Sequence, residues 1–194
     1  MSEQQGNNEQ SRFSGLVNKL LKGASLSVVI GAVVVGILMT TGFHGVLNAT
    51  NSESFCVSCH EMEINFEEYK GTVHYKNRTG VRATCPDCHV PKDFGPKMAA
   101  KIRAAKDVWH HLLGTIDSKE KYEAYRLKMA KAVWQKMEET DSRECRTCHT
   151  VEGMDFEEQQ GRAARKHKKM VEKGKTCIDC HKGVAHELPE DYDE

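Results

Sequence analysis

The chain's eight cysteines fall into four pairs, and a histidine directly follows each pair. The blocks are Cys56-Val57-Ser58-Cys59-His60, Cys85-Pro86-Asp87-Cys88-His89, Cys145-Arg146-Thr147-Cys148-His149 and Cys177-Ile178-Asp179-Cys180-His181. Two thiols so spaced can reach the two vinyl groups of one porphyrin as thioethers. The adjacent histidine is then carried onto one axial face of the iron. This is the attachment signature of c-type haem. Zinc ribbons also use paired CxxC blocks, but they need no histidine after each pair. A disulfide framework needs none either, and no cysteine is left over. The blocks therefore predict four covalently bound c-type haems.

Each iron has a second axial face. Six histidines lie outside the motifs: His44, His74, His110, His111, His167 and His186. His74 and His167 each fall between the two haem blocks of their own half, so both are candidate ligands. His186 follows His181 by five residues. It cannot readily reach the same iron, but it can reach a neighbouring one. His110 and His111 are weaker candidates, because adjacent helical residues cannot both face one haem. Met62 follows His60 by two residues. A methionine ligand raises haem potential, although Met62 serves equally well as a packing residue.

These groups must be positioned by the rest of the chain. Cys56 and Cys85 are 29 residues apart, and Cys145 and Cys177 are 32 apart. The second block of each half reads Thr-Cys-x-Asp-Cys-His, at Thr84–His89 and Thr176–His181. Such self-similarity suggests a duplicated two-haem unit. Pro96 suits a first helical turn. A helix is expected over Lys97–Leu113, stopping near Gly114, and a second from Asp117 or Ser118 to about Glu139. No period-two alternation predicts a strand.

Residues 23–52 carry no formal charge, and Leu26 to about Leu47 is long enough for a membrane span. Arg12, Lys19 and Lys22 precede it, which places the N-terminus in the cytoplasm and the remainder outside. The apolar stretch is longer than a signal-peptide core and starts late, so an uncleaved anchor is expected. The expected organisation is a cytoplasmic tail (1–22), a transmembrane signal-anchor (23–49), a first dihaem unit (50–95), a helical connector (96–140) and a second dihaem unit with an acidic tail (141–194). The fold class is mainly α: one N-terminal transmembrane helix plus a compact, loop-rich multihaem cytochrome c domain built of two dihaem repeats.

Composition agrees with this. The 194 residues carry 28 basic and 28 acidic side chains, so the formal net charge is zero, and nucleic-acid binding is not expected. Aromatic residues make up only 7%, which is thin for a side-chain core. Four haems leave roughly 35 exported residues each, so the macrocycles supply much of the apolar interior. Arg165–Lys169 and the acidic tail Glu187–Glu194 are expected to be solvated faces, either of which could dock a partner.

The layout resembles the NapC/NirT family of membrane-anchored tetrahaem cytochromes c, most closely its NapC branch, over nearly the whole chain. The likeness rests on the four haem blocks. It rests also on Val81–Pro91, on Glu144-Cys145-Arg146 with Met154-Asp155-Phe156, and on Thr176–Gly183. It implies a bacterial inner-membrane protein with its haem domain in the periplasm. Such a protein takes electrons from the membrane quinol pool, as menaquinol or ubiquinol, and passes them to a periplasmic reductase or its cytochrome subunit. Nitrate reductase is the first expectation. Nitrite or trimethylamine N-oxide reductase is the alternative, as is direct reduction of a small oxidant at an open haem. The resemblance also leaves room for a homodimer.

The resemblance carries residue roles as well. Met62, rather than His60, can hold the first iron. The other face is then open or shielded by an acid, for which Asp107 stands in the family position. Lys101 stands at the family's quinol-site lysine, and Asp107 or a nearby carboxylate accepts the quinol proton. His74, His167 and His186 match distal ligands proposed in the family. One departure is Lys92, where NapC-like chains often carry histidine; His110 or His111 could substitute there.

Overall fold

A computed structural model describes residues 14, 15, 17–19 and 26–193. Most of the tail expected over 1–22 lies outside the described residues, as do Arg12 and Lys22. The first helix, α1, runs Leu26–Ala49. Its 24 residues extend about 36 Å at ~1.5 Å per residue, enough to cross a hydrocarbon core of ~30 Å. No charged side chain interrupts it, and none of its residues is buried by protein. Leu26, Val29, Ile30, Val33, Ile37 and Leu38 are all exposed. Exposed apolar residues on every face describe a helix whose solvent is lipid, and α1 fits a single-pass membrane anchor.

The chain from Thr50 onward forms a separate unit. It contains α2 (Glu53–Cys56), a 3₁₀ turn at His60–Met62, α3 (Glu63–Lys70), α4 (Cys85–His89), α5 (Phe94–Leu112), α6 (Lys119–Glu139), α7 (Arg143–Arg146), α8 (Gly161–Glu172) and a 3₁₀ turn at Cys177–Asp179. No strand occurs among the described residues, so the mainly α expectation holds. Helix α5 begins three residues before Lys97 and holds Pro96 in its first turn, where a missing N–H costs nothing. Gly114, at φ +60°, turns the chain away from the helix end. Ser118 then caps α6, its Oγ accepting from the Lys121 N–H at 3.3 Å.

Side chains supply little core. Besides the prolines Pro86, Pro91 and Pro189, the buried apolar residues among those described are Tyr69, Tyr122, Met170 and Ile178. Polar ties do much of the remaining work. Arg126 of α6 is buried and donates through Nη2 to Glu68 Oε2 of α3 and to the Glu187 carbonyl, both at 2.7 Å. The Glu187 N–H completes the triangle by donating to Glu68 Oε2 at 2.9 Å. Nearby, Tyr122 donates to Asn65 Oδ1 at 2.6 Å.

The acids of the tail, Glu187, Glu190, Asp191 and Asp193, are exposed, as expected, but the residues between them anchor it. Pro189 is buried, and Tyr192 packs edge-on to Trp134 with ring centroids 5.0 Å apart. The Lys182 ammonium sits over both rings. One aromatic residue among the acids is enough to pin the tail to α6. Arg165, Lys166, Lys168 and Lys169 of α8 are exposed, as expected.

Candidate functional site

Each Cys-x-x-Cys-His block needs one tight helical turn, so that both sulfurs and the imidazole leave the same short segment. The sequence supplies that turn locally. In the second block Thr84 is the N-cap of α4, and Asp87 Oδ2 accepts from the Thr84 N–H at 2.8 Å. The fourth block repeats this: Asp179 Oδ2 accepts from the Thr176 N–H at 2.7 Å. The repeated Thr-Cys-x-Asp-Cys-His string is thus a reciprocal capping box wrapped around a haem-attachment motif. Asp87 is also paired with Lys92. Burial alone would raise its carboxyl, but Lys92 and Thr84 hold it down at about 2.

The blocks lie side by side. Helix α2 touches α4, and α4 touches α7. Ser142, fully buried and at φ +48°, accepts through Oγ from the Ile178 N–H at 3.1 Å. That bond ties the fourth block to the start of the third.

The histidines fall into facing pairs. His89 meets His186 with ring centroids 6.2 Å apart, His149 meets His74 at 6.2 Å, and His181 meets His167 at 6.0 Å. Imidazoles on opposite sides of one metal, each bonded at about 2 Å as for other first-row metals, have centroids about 6 Å apart. The donor set therefore fits an iron between two rings. Several rings are also held in the form a metal needs. His167 Nδ1 donates to Gln159 Oε1 at 2.6 Å, which leaves Nε2 as the lone-pair nitrogen. Nδ1 of His74 and of His186 are buried without a hydrogen-bond partner. Such a group costs ~1–3 kcal/mol if left unpaired, a cost that a metal bonded at that nitrogen would remove. Part of the His89 surface stays accessible, yet the protein packed around it, and then His186, push its imidazole down to about 4. Burial likewise lowers His181 and His186. Neutral imidazole is the ligating form.

Local devices aim these rings. Tyr69 is buried and donates to the carbonyls of Ala83 and His74, which holds the His74 loop. Glu187, held by Arg126 and Glu68, is the neighbour of His186. Gly183, at φ +77°, turns the chain between His181 and His186; a Cβ there would stand 3.2 Å from Leu188 Cγ.

The first block is different. Its His60 ring faces His111 of α5, with centroids 5.8 Å apart. His111 Nδ1 donates to Glu61 Oε1 at 2.7 Å. The Glu61 side chain is only 11% exposed. Burial would raise its carboxyl, but the His111 hydrogen bond, its own backbone and His60 bring it below the ordinary carboxylate range. Met62 is exposed and is the N-cap residue of α3. Glu61 was not singled out from the sequence, and His111 entered it only as a weaker ligand candidate and a possible substitute near Lys92. The adjacency of His110 and His111 argued against both, and contact over 50 residues leaves no local signal.

Lys101, also on α5, donates to the Thr50 carbonyl at 3.1 Å and to Thr50 Oγ1 at 2.9 Å. Its ammonium is lowered chiefly by burial, and it lies close enough to Cys56 to interact electrostatically. Asp107 is exposed and has no hydrogen-bond or ion-pair partner among the described residues.

An apolar anchor followed by four CxxCH turns and facing histidines defines a membrane-anchored multihaem c-type cytochrome. The chain matches the NapC/NirT cytochrome c family, N-terminal region, over residues 19–191, and belongs to that family. It is 48% identical to the denitrification system component NirT of Stutzerimonas stutzeri, over all of this chain and 98% of that one. It is 50% identical to the cytochrome c-type protein NapC of Haemophilus influenzae, over 92% of this chain and 89% of that one. A tetrahaem c-type cytochrome of Allochromatium vinosum is 55% identical over 76% of this chain and 80% of its own.

Proposed function

We propose that the protein is a tetrahaem quinol-oxidising electron conduit, anchored in the inner membrane with its haem domain in the periplasm. The observation that carries this is the coincidence of four CxxCH turns with histidine rings opposed at close to 6 Å. Cys56 and Cys59, Cys85 and Cys88, Cys145 and Cys148, and Cys177 and Cys180 hold one haem each. The second iron takes His89 and His186, the third His149 and His74, and the fourth His181 and His167. The first takes His60 or Met62 from its own block. Bound haem supplies one-electron storage and transfer.

The chain's own residues do the rest. A quinol gives up two electrons and two protons on oxidation. Cys56 stands seven residues beyond the end of α1, so the first block is the entry nearest the membrane along the chain. Lys101, partly buried beside that block, orients a quinol oxygen by donating a hydrogen bond. Asp107 receives the two protons one after the other at its carboxylate, as a positioned base does, and its exposure lets each leave to the periplasm before the next. Electrons pass along the row of touching blocks and leave to a periplasmic reductase, for which likeness to NapC proteins favours nitrate reductase. Likeness to NirT over the whole chain favours, as a second reading, an acceptor in the denitrification system.

The test is direct. The haem-loaded protein in liposomes should be reduced by a menaquinol or ubiquinol analogue, with four haems per chain by mass. Lys101→Ala and Asp107→Asn should slow that reduction without loss of haem. A protein that dithionite reduces but no quinol reduces would overturn the proposal.

A further inference from the structure

The first haem block has two possible ligands of its own, His60 and Met62, and α5 offers a third group that the motif does not contain. His111 faces His60 at 5.8 Å between centroids, the same spacing as the three pairs assigned above. Its Nδ1 is engaged by Glu61 at 2.7 Å, which leaves Nε2 to bind a metal. His167 is held in the same way by Gln159. The sulfur of Cys59, a Glu61 oxygen and a His111 nitrogen lie within 4.8 Å of one another. The carboxylate that engages His111 therefore stands beside a haem-attachment sulfur of the first block. His110 is held by Thr115 instead, with Nδ1 and Oγ1 at 3.0 Å. Lys92 is engaged by Asp87 and offers no imidazole.

We infer that His111, oriented by Glu61, is the axial ligand opposite His60 on the first haem, which closes that iron with two imidazoles and leaves Met62 outside its coordination. The inference rests on the four-haem reading above. Its chemistry is that of a carboxylate–histidine–metal relay: the anionic acceptor fixes the ring and makes it a stronger donor. The first iron then takes electrons through the haem edge rather than by binding a substrate. Asp107 lies four residues before His111 on α5, about 40° away around the helix. The proposed proton acceptor is thus one turn from the ligand.

The experiment uses the full haem-loaded chain, read by electron paramagnetic resonance, magnetic circular dichroism and a potentiometric titration, with haem counted by mass. The native protein should show four low-spin bis-imidazole haems and no methionine-to-iron band. His111→Gly should turn one haem in four high-spin, and added imidazole should restore it. Met62→Leu should leave the spectra unchanged. Glu61→Gln should keep four low-spin haems but raise one potential, because the neutral amide makes a weaker donor of the ring. A methionine-bound or high-spin haem in the native protein overturns the inference, and so does a His111→Gly protein with four haems and unchanged spin states. If that variant fails to accumulate, the native spectra alone decide. Fewer than four haems in the native protein would instead overturn the four-haem reading.

Discussion

Residues 50–95 and 141–194 use the same string in opposite ways. Thr84–His89 and Thr176–His181 build the same capping box around a haem motif, yet the histidines in matching slots do not serve matching haems. His167 faces His181, a partner within its own half. His74 faces His149 in the other half, while His89 takes its partner, His186, from the other end of the chain. The two halves are repeats in how they attach haem and an exchange in how they enclose it. The lesson concerns range: attachment is set within a turn, whereas enclosure is set between elements. The helical connector α5–α6 lies between the halves, and it contributes Arg126 to the His186 end and His111 to the first block.

The exchange can be broken most severely where His186 is held. Glu68→Ala removes one partner of a buried ion pair, whose side chains are 9% and 10% exposed. It should cost about 3–5 kcal/mol and release the second haem's distal ligand. Thermal unfolding and the spin state of one haem would check both. Next, methionine in the two matching slots should separate them. His74→Met should raise the third haem's potential and His167→Met the fourth's, each on the order of 0.1 V within the ~0.8 V that axial ligands span. A titration that assigns both shifts to haems of the second half would confirm the crossing. A smaller effect is expected at the third–fourth block tie. Ser142→Ala leaves the buried Ile178 N–H without its acceptor and should cost ~1–3 kcal/mol, measured by denaturant unfolding.

The two capping boxes should respond alike, and least. Asp87→Asn and Asp179→Asn should each cost about 1 kcal/mol, the usual worth of a cap. Asp87 alone adds a pH signature. Its native value near 2 lies below the ordinary 3.8, so its stabilisation is full above about pH 4 and fades as pH falls through about 2. Asp87→Asn should remove that acid-limb loss, as followed by unfolding between those limits.

Much of this was legible in the order of residues. Ser118 and Gly114 bracketed the turn between α5 and α6 because caps and positive φ are local needs. The anchor was legible because lipid demands an unbroken apolar run. His74, His167 and His186 stood out as the histidines left over. The pairing of His111, a weaker candidate, with Glu61 was not legible, because no spacing rule links residues 50 positions apart, and the adjacency of His110 pointed the wrong way. The tail was legible in part, for a related reason. Its charge predicted solvated acids, which it has, but not that Tyr192 would meet Trp134 on a helix more than 50 residues earlier.

By itself, then, the sequence determined the chemistry that one turn or one span can hold: four thioether-forming turns with their motif histidines, the caps that shape two of them, and a membrane-length helix. Backbone hydrogen bonds, capping and apolar length act over a few residues, so they can be read directly. Tertiary structure alone decided which imidazole faces which, that His74 and His186 face motif histidines of the opposite half, and that Glu61 meets His111. Those pairings depend on the folded path of α3, α5 and α6, stabilised by buried Arg126 with Glu68 and the Glu187 backbone, and no local preference encodes them.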